Sequence, residues 1–400
     1  MKVLLVHDFG TLNGGAEHMT VTLRGGLRDR GHEVEFFSSR AKPLPLPIVS
    51  DHTCFGTTSQ FNRVTRAFNP LAAIALKKVI KRFKPDIVHC RMFMNQLSPL
   101  ILPVIRGIPS LLHVVNYNLI CPLNTKVLPD GSPCHDPQGP ACRSNGCLPI
   151  LGRMRAETQK RMWDRWEGAF NLIITNSNWV RDRLMNEGQR VDGVVWNGVP
   201  VTAPRPPLSD PPTVSYAGRL IPKKGVDVLI QAMARVAAEL PDARLLIAGD
   251  GPLMQEHQAL AARLKINQNT TFLGHLSRPD MERALEAAWV QAVPSVWEEP
   301  FGLVGAEALM RGTAAVVTEC GGLAEQIVPD ANGYHVPAGD AGALAKALLK
   351  VLRDRDKAER FGKHGRAHAI AQFTEEVVID HFLKLYEQML TASPADTVVS

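Results

Sequence analysis

The feature that most narrows the fold is a short apolar run that recurs along the chain, followed each time by a turn rich in glycine or polar residues and then by a helical pattern. Such runs lie at 3–6, 245–248 and 314–317, and the stretches at 34–37, 172–175 and 214–217 differ from them by one polar residue each. Continuous apolar runs this short, without the alternation of a half-solvated strand, read as parallel strands buried on both faces. Strands of that kind alternating with helices predict an α/β architecture built on open parallel sheets. Ligands of such sheets bind beyond the carboxyl ends of the strands, so the residues just after each run are the first candidates for function.

The richest unit spans 294–326. A short apolar run ends at Pro294, a loop carries the adjacent carboxylates Glu298 and Glu299, Pro300 and Gly302 set the backbone, and a helix is predicted to begin near Leu303. Backbone N–H groups at a helix start have no intrahelical partner and point outward, so Gly302, Leu303 and Val304 form an anion seat. Glu307 follows one turn inside the helix, and Gly321 and Gly322 open a second tight turn after the strand at 314–317. The unit offers a phosphate seat flanked by carboxylates that can take sugar hydroxyls. The alternative is an ordinary strand–helix–strand unit with solvated acids, which has no need of proline and glycine between them.

This stretch resembles the acidic signature of the retaining glycosyltransferases of family 4, in which two glutamates separated by seven residues precede a Gly-Gly loop. Here the pair is Glu299 and Glu307, followed by Gly321 and Gly322. The resemblance implies the α/β GT-B fold: two facing Rossmann-like domains, a deep interdomain cleft and a C-terminal helix crossing back to the first domain. It also implies a nucleotide-diphosphate sugar as donor, a saccharide or lipid-linked acceptor, and a place in surface polysaccharide or glycolipid synthesis. Glu307 would take the ribose hydroxyls and Glu299 the sugar hydroxyls.

A second signature follows the run at 214–217: Gly218, Arg219, then Lys223, Lys224 and Gly225, with a helix predicted from 226. Arg219 can clamp phosphate oxygens bidentately and Lys224 adds a point charge. The bland reading is a solvated basic loop. The resembled family carries the same glycine, arginine, lysine and glycine at the same spacing, which assigns Gly218, Arg219 and Lys224 to the leaving diphosphate. It also places the loop of Gly251 close to the nucleotide base. No acidic metal motif stands at a matching strand end, so the two cations would do the work of a metal, and catalysis would need no cofactor. Retention in such enzymes proceeds by front-face attack with the departing phosphate as base, so no protein nucleophile is assigned.

In the N-terminal half, Gly14 and Gly15 follow the first strand and open a helix, where a phosphate can approach the backbone; a plain strand-to-helix turn is the alternative. A histidine–aspartate pair of the family would fall at Val115 and Asn116, which replace it. His113, two residues earlier, shares the strand face of residue 115 and is the candidate substitute and catalytic residue; a satisfied core histidine is the alternative. The stretch 61–84 contains Arg63, Arg66, Lys77, Lys78, Lys81, Arg82 and Lys84 and no acidic residue. It reads as a basic amphipathic helix, either lying on anionic lipid or presenting a solvated face.

Cys121, Cys134, Cys142 and Cys147 cluster in a segment poor in periodicity. Four thiolates can hold Zn²⁺ tetrahedrally as a closed structural site. The spacing lacks the close cysteine pairs of common zinc modules, and free thiols, disulfides or an iron–sulfur cluster are the alternatives. A similar four-cysteine insertion occurs in a subset of the resembled family.

The domains expected are 1–200 on the acceptor side with a cysteine-rich insertion at 119–148, a proline-rich linker at 201–212, a donor-binding domain at 213–372, a returning helix at 373–390 and a disordered tail at 391–400. A net charge of +6 fits an anionic partner. No basic-aromatic module for nucleic acid is present, and no run is long enough to span a bilayer. The expected location is the cytoplasm, peripheral on the inner membrane face. A nucleotide-sugar epimerase on the same two-domain scaffold is the competing activity.

Overall fold

The computed structural model describes residues 1–59 and 66–391. Arg63 of the basic stretch and residues 392–400 of the tail lie outside them. The chain divides into two compact units. One comprises Met1–Asp130, Cys134–Gly198 and the chain from Glu375 onward; the other comprises Val199–Thr374 with Gly131–Pro133.

The first unit is wound on seven parallel strands: β1 (Lys2–Phe9), β2 (Glu33–Ser39), β3 (His52–Cys54), β4 (Ile87–Met92), β5 (Ser110–Val114), β6 (Leu172–Thr175) and β7 (Gly193–Val194). Their spatial order is β3-β2-β1-β4-β5-β6-β7, with β1 in register with β2 through Val3↔Val34 and with β4 through Val3↔Ile87. The order reverses between β1 and β4, where chain ends leave the sheet in opposite directions and open a crevice. Helix α1 (Gly15–Asp29) follows β1, α2 (Pro70–Phe83) precedes β4, and α3 (Ile150–Trp166) precedes β6. Asn69 caps α2 through its side chain, and Pro70 occupies the first turn, where its missing N–H costs nothing.

The second unit repeats the plan with six parallel strands: β8 (Thr213–Ala217), β9 (Arg244–Ala248), β10 (Thr270–Gly274), β11 (Val290–Val293), β12 (Ala314–Thr318) and β13 (Gly333–Val336), in the order β10-β9-β8-β11-β12-β13. Its reversal falls between β8 and β11, paired through Val290↔Val214. Val214, Leu245, Ile247, Val290 and Val316 are fully buried in the core of this unit, and the polar Ser215 and Gln291 of the same strands are buried as well.

The C-terminal helix Glu375–Thr391 belongs to the first unit. Val378, Ile379, Phe382 and Tyr386 join a core with Val3, Leu5, Leu23 and Leu27. A Cβ on Gly26 would lie 2.1 Å from Ile379 Cδ1, so the bare backbone of α1 is what lets this helix seat. No helix among the described residues is long and apolar enough to cross a membrane.

Candidate active site

The candidate residues of the second unit converge at the carboxyl ends of β8 and β11. Beyond β8 the chain bends at Gly218, whose N–H bonds the carbonyl of Ala248 at 3.0 Å. A Cβ on Gly249 would sit 1.8 Å from the Gly218 oxygen, and one on Gly251 2.4 Å from the Leu220 oxygen. The loops after β8 and β9 are thus locked backbone to backbone, which gives Gly251 a packing reason to be glycine. Residues Pro222–Lys224 form a single 3₁₀ turn, and the carbonyl of Lys223 receives the Val296 N–H at 3.0 Å. That bond ties the basic loop to the acidic loop after β11.

The tie brings Lys224 onto Glu299. Lys224 Nζ donates to Glu299 Oε1, and Ser295 Oγ donates to the same oxygen at 2.8 Å. Burial alone would raise the Glu299 carboxyl, but the Lys224 charge and hydrogen bonds from Lys224, Ser295 and Trp297 outweigh it and hold the group below its ordinary value. Glu299 is therefore a buried carboxylate with its countercharge in contact. Lys223 Nζ lies 3.8 Å from the centre of the Trp297 ring, a cation–π contact that covers the pair. Arg219 is exposed, and among the described residues its guanidinium has neither a hydrogen-bond nor an ion-pair partner.

The acidic loop is held rigid from beneath. Gly322 N–H donates to the Glu299 carbonyl at 2.7 Å, and a Cβ on Gly321 would meet that oxygen at 2.2 Å. Gln326 Nε2 donates to the carbonyls of Phe301 (2.6 Å) and Gly302 (3.2 Å). Gly302 has φ +81, a left-handed conformation that glycine adopts at little cost, and it caps the helix Leu303–Arg311 with no side chain. The N–H groups at Leu303 and Val304 thus remain available at a helix start. Glu307, on the next turn, accepts from Arg278 Nη2 at 2.8 Å. Burial raises its carboxyl above the ordinary value, with Arg278 and Arg311 pulling the other way.

In the first unit, Gly14 has extended backbone (φ −175) and precedes α1, which begins at Gly15. A Cβ on Gly14 would touch only Glu17 Oε2, at 3.5 Å. Neither conformation nor packing demands glycine there. Glu17, in the first helical turn, is buried, and that burial lifts its carboxyl to about 7. His113 is a core residue in this fold. It lies within β5, fully buried, with Nε2 donating to the Val195 carbonyl at 3.1 Å and its ring 5.2 Å from that of Phe382. Burial, with Arg91 and His89 nearby, holds it well below the usual imidazole range and hence neutral.

Cys121, Cys134, Cys142 and Cys147 all line one small cavity of about 20 Å³, and all are free thiols. The fold thus gathers them, but the sulfurs are turned to local acceptors: Cys134 Sγ to the Asp136 carbonyl (3.8 Å) and Cys147 Sγ to that of Asn145 (3.9 Å). No group of three or more His, Cys, Asp or Glu side chains among the described residues stands at metal-holding spacing. Ser295, Trp297, Gln326 and Arg278 were not singled out by sequence reasoning. Only the position of Ser295 and Trp297 directly beyond a strand end signalled them.

Two doubly wound parallel sheets, one ending in a basic and an acidic loop joined by a Lys–Glu pair, are the framework of the GT-B glycosyltransferases. Two family models tile the chain: glycosyltransferase family 4 matches residues 13–203 and glycosyl transferases group 1 matches 203–368. The chain belongs to glycosyltransferase family 4. It is 35% identical over 173 residues to a GDP-mannose-dependent monoacylated α-(1-6)-phosphatidylinositol monomannoside mannosyltransferase of Corynebacterium glutamicum, covering 42% of this chain and 45% of that protein. It is 27% identical over 384 residues to the phosphatidyl-myo-inositol mannosyltransferase of Mycolicibacterium smegmatis, covering 94% and 90%. The chain spans about half the length of the first curated relatives it matches. Sucrose-phosphate synthase from Thermosynechococcus elongatus shares the fold, with a TM-score of 0.72 at 22% identity over 98% of this chain and all of that one.

Proposed function

We propose that this chain is a retaining glycosyltransferase that moves a sugar from a nucleotide-diphosphate donor to a saccharide or lipid-linked acceptor, in surface polysaccharide or glycolipid synthesis. The observation that carries the reading is the Lys224–Glu299 pair beside the open guanidinium of Arg219. In the reaction the bond between the anomeric carbon and the diphosphate oxygen breaks, and a bond to the acceptor oxygen forms. The acceptor proton passes to the departing phosphate. Arg219 and Lys224 neutralise the charge that develops there, so the step needs no metal ion. Glu299, kept ionised by Lys224, accepts from sugar hydroxyls, Glu307 accepts from the ribose, and the helix start at Gly302–Val304 donates N–H groups. Relatives named as mannosyltransferases of phosphatidylinositol glycolipids favour a lipid-linked acceptor.

A panel of UDP-, GDP- and ADP-sugars tested by thermal shift identifies the donor, since a ligand of the folded state raises apparent stability by mass action. Transfer to an acceptor with the donor's anomeric configuration is the expected result. An inverted product, or free epimerised sugar nucleotide formed without acceptor, overturns the reading.

We further propose that Cys121, Cys134, Cys142 and Cys147 bind one structural Zn²⁺. The shared cavity supports this, and ligation would turn the sulfurs inward from their local carbonyls. The backbone N–H of Lys126 donates to Cys121 Sγ at 3.4 Å, a bond that would help hold a thiolate there. Metal analysis should give about one Zn per chain; a metal-free preparation of unchanged stability rules the site out. The location proposed is cytoplasmic, peripheral on the inner membrane face through the basic side of α2.

A further inference from the structure

From residue 137 to residue 156 the chain has no acidic side chain but carries Arg143, Arg153 and Arg155. The same segment, where it enters α3, exposes large apolar side chains: Ile150 is 53% exposed, Leu151 80% and Met154 57%. Met154 follows Ile150 by four positions and Leu151 by three, so the three form one face of the first helical turns. Leu123, 43% exposed, joins Ile150 and Leu151 around an open hollow of about 1060 Å³ that Arg143 and Arg155 also line. Exposed leucines met singly need no explanation, but a contiguous apolar patch rimmed by cations does.

We propose that this tip inserts into the interfacial region of an anionic phospholipid bilayer, with Ile150, Leu151, Met154 and Leu123 reaching the acyl boundary and the arginines held at headgroup phosphates. The charge favours this occupant. Arg153 pairs with Glu157 at 2.6 Å, but Arg143 and Arg155 flank the apolar side chains and no acidic residue stands between 137 and 156. The pattern recurs next door. Phe68, Leu71 and Ile74 are exposed at the start of α2, ahead of Lys77, Lys78 and Lys81 on the same helix. The two segments are joined, because Gln159 Nε2 on α3 donates to the Arg66 carbonyl at 2.7 Å. Two apolar-and-basic surfaces side by side on one unit form a single membrane-facing edge. Cys147 and Leu148 line both the cysteine cavity and the hollow, so the cysteine segment is the base that positions the tip.

Insertion differs from electrostatic adsorption in its response to salt, because apolar burial survives screening. The test is sedimentation of the full chain with phosphatidylglycerol-containing and with phosphatidylcholine vesicles, at low and high salt. The parent is expected to keep a salt-resistant bound fraction on anionic vesicles. Ile150→Asp with Leu151→Asp should weaken that fraction roughly tenfold or more, since both apolar contacts are lost. Leu151→Trp, an interface-seeking residue, should strengthen it. Both positions are solvent-exposed, and an unchanged thermal shift with the sugar-nucleotide panel shows that fold and donor site are intact. Sedimentation identical to the parent in both variants overturns the proposal. So does a parent that is dimeric by light scattering and becomes monomeric in the double variant with no change on vesicles, which would make the patch a contact between copies of the chain.

Discussion

Arg278 donates from Nη2 to Glu307 Oε1 at 2.8 Å, so the carboxylate proposed to take the ribose is already engaged by a cation on the neighbouring helix. The pair does two things. It satisfies one carboxylate oxygen, and it opposes the burial that raises the Glu307 carboxyl. A hydroxyl pair binding at Glu307 must share or displace this guanidinium, and it needs the carboxyl ionised to accept from both hydroxyls.

Arg278→Ala should therefore act through pH. Without the guanidinium the folded Glu307 carboxyl climbs further above its ordinary value. Donor-induced thermal stabilisation should be at least that of the parent at pH 8 and should fall off at higher pH than in the parent as the buffer is acidified toward 5.5. A pH profile superimposable on the parent's would detach Arg278 from the donor site.

Lys224 and Arg219 separate stability from turnover. Lys224→Met leaves Glu299 buried without its countercharge, a change that costs on the order of 3 kcal/mol of stability. Loss of the phosphate contact should also lower turnover by about 10²-fold. Arg219 is exposed and engages no carboxylate among the described residues, so Arg219→Ala should give a similar loss of turnover, of about 10²-fold, with an unchanged melting temperature. The folded Glu299 carboxyl lies below its ordinary value of 4.5. Its contribution to stability is present above that value and is lost as pH falls through the lowered folded value. In Lys224→Met the effect of burial is no longer outweighed, and the acid-side loss should vanish. Denaturant melts between pH 3 and 7 measure it.

Glu17 has the opposite sign. Its folded carboxyl sits at about 7 against an ordinary 4.5, because burial disfavours the charge. Above pH 7 the group is ionised in both states and the fold bears the desolvation cost. As pH falls from 7 toward 4.5, only the folded state takes up the proton, and stability rises by roughly 3 kcal/mol at most. Glu17→Gln should be more stable than the parent at pH 8 and close to it at pH 4. Equal destabilisation at both values would show that the carboxylate is held by contacts that burial does not explain.

What the sequence made legible follows from how each feature is encoded. Central strands such as Ala314–Val317 are local apolar runs and can be read directly. His52–Cys54 and Gly193–Val194 are two or three residues at sheet edges, strands only because Phe37–Ser39 and Ile174–Thr175 pair with them. Lys224 and Glu299 stand in motifs of fixed spacing, and the fold joins them. Gln326, which pins Phe301 and Gly302, and Arg278, which meets Glu307, act through tertiary placement that no periodicity marks. His113 shows the limit most plainly: a polar residue near a strand end is visible, but that it faces Phe382 depends on a helix from the far end of the chain.

The last prediction concerns the basic face of α2. Ala72, Leu76, Val79 and Phe83 point into the unit, and Lys77, Lys78 and Lys81 are exposed with no ion pair among the described residues. Arg82 differs from them. Its Nη2 lies 3.6 Å from Glu35 Oε2 and 2.8 Å from His52 Nε2, so it tethers the helix to the edge of the sheet. Each free lysine near an anionic leaflet contributes about 1 kcal/mol, so three reversed together should weaken binding by roughly 10²-fold or more. We expect Lys77→Glu, Lys78→Glu and Lys81→Glu combined to abolish the salt-sensitive part of vesicle sedimentation while donor binding is kept. Arg82→Glu alone should instead lower the melting temperature, because it sets a like charge beside Glu35. If the triple reversal sediments like the parent at low salt, this face is merely solvated and the lysines take no part in holding the enzyme at a membrane.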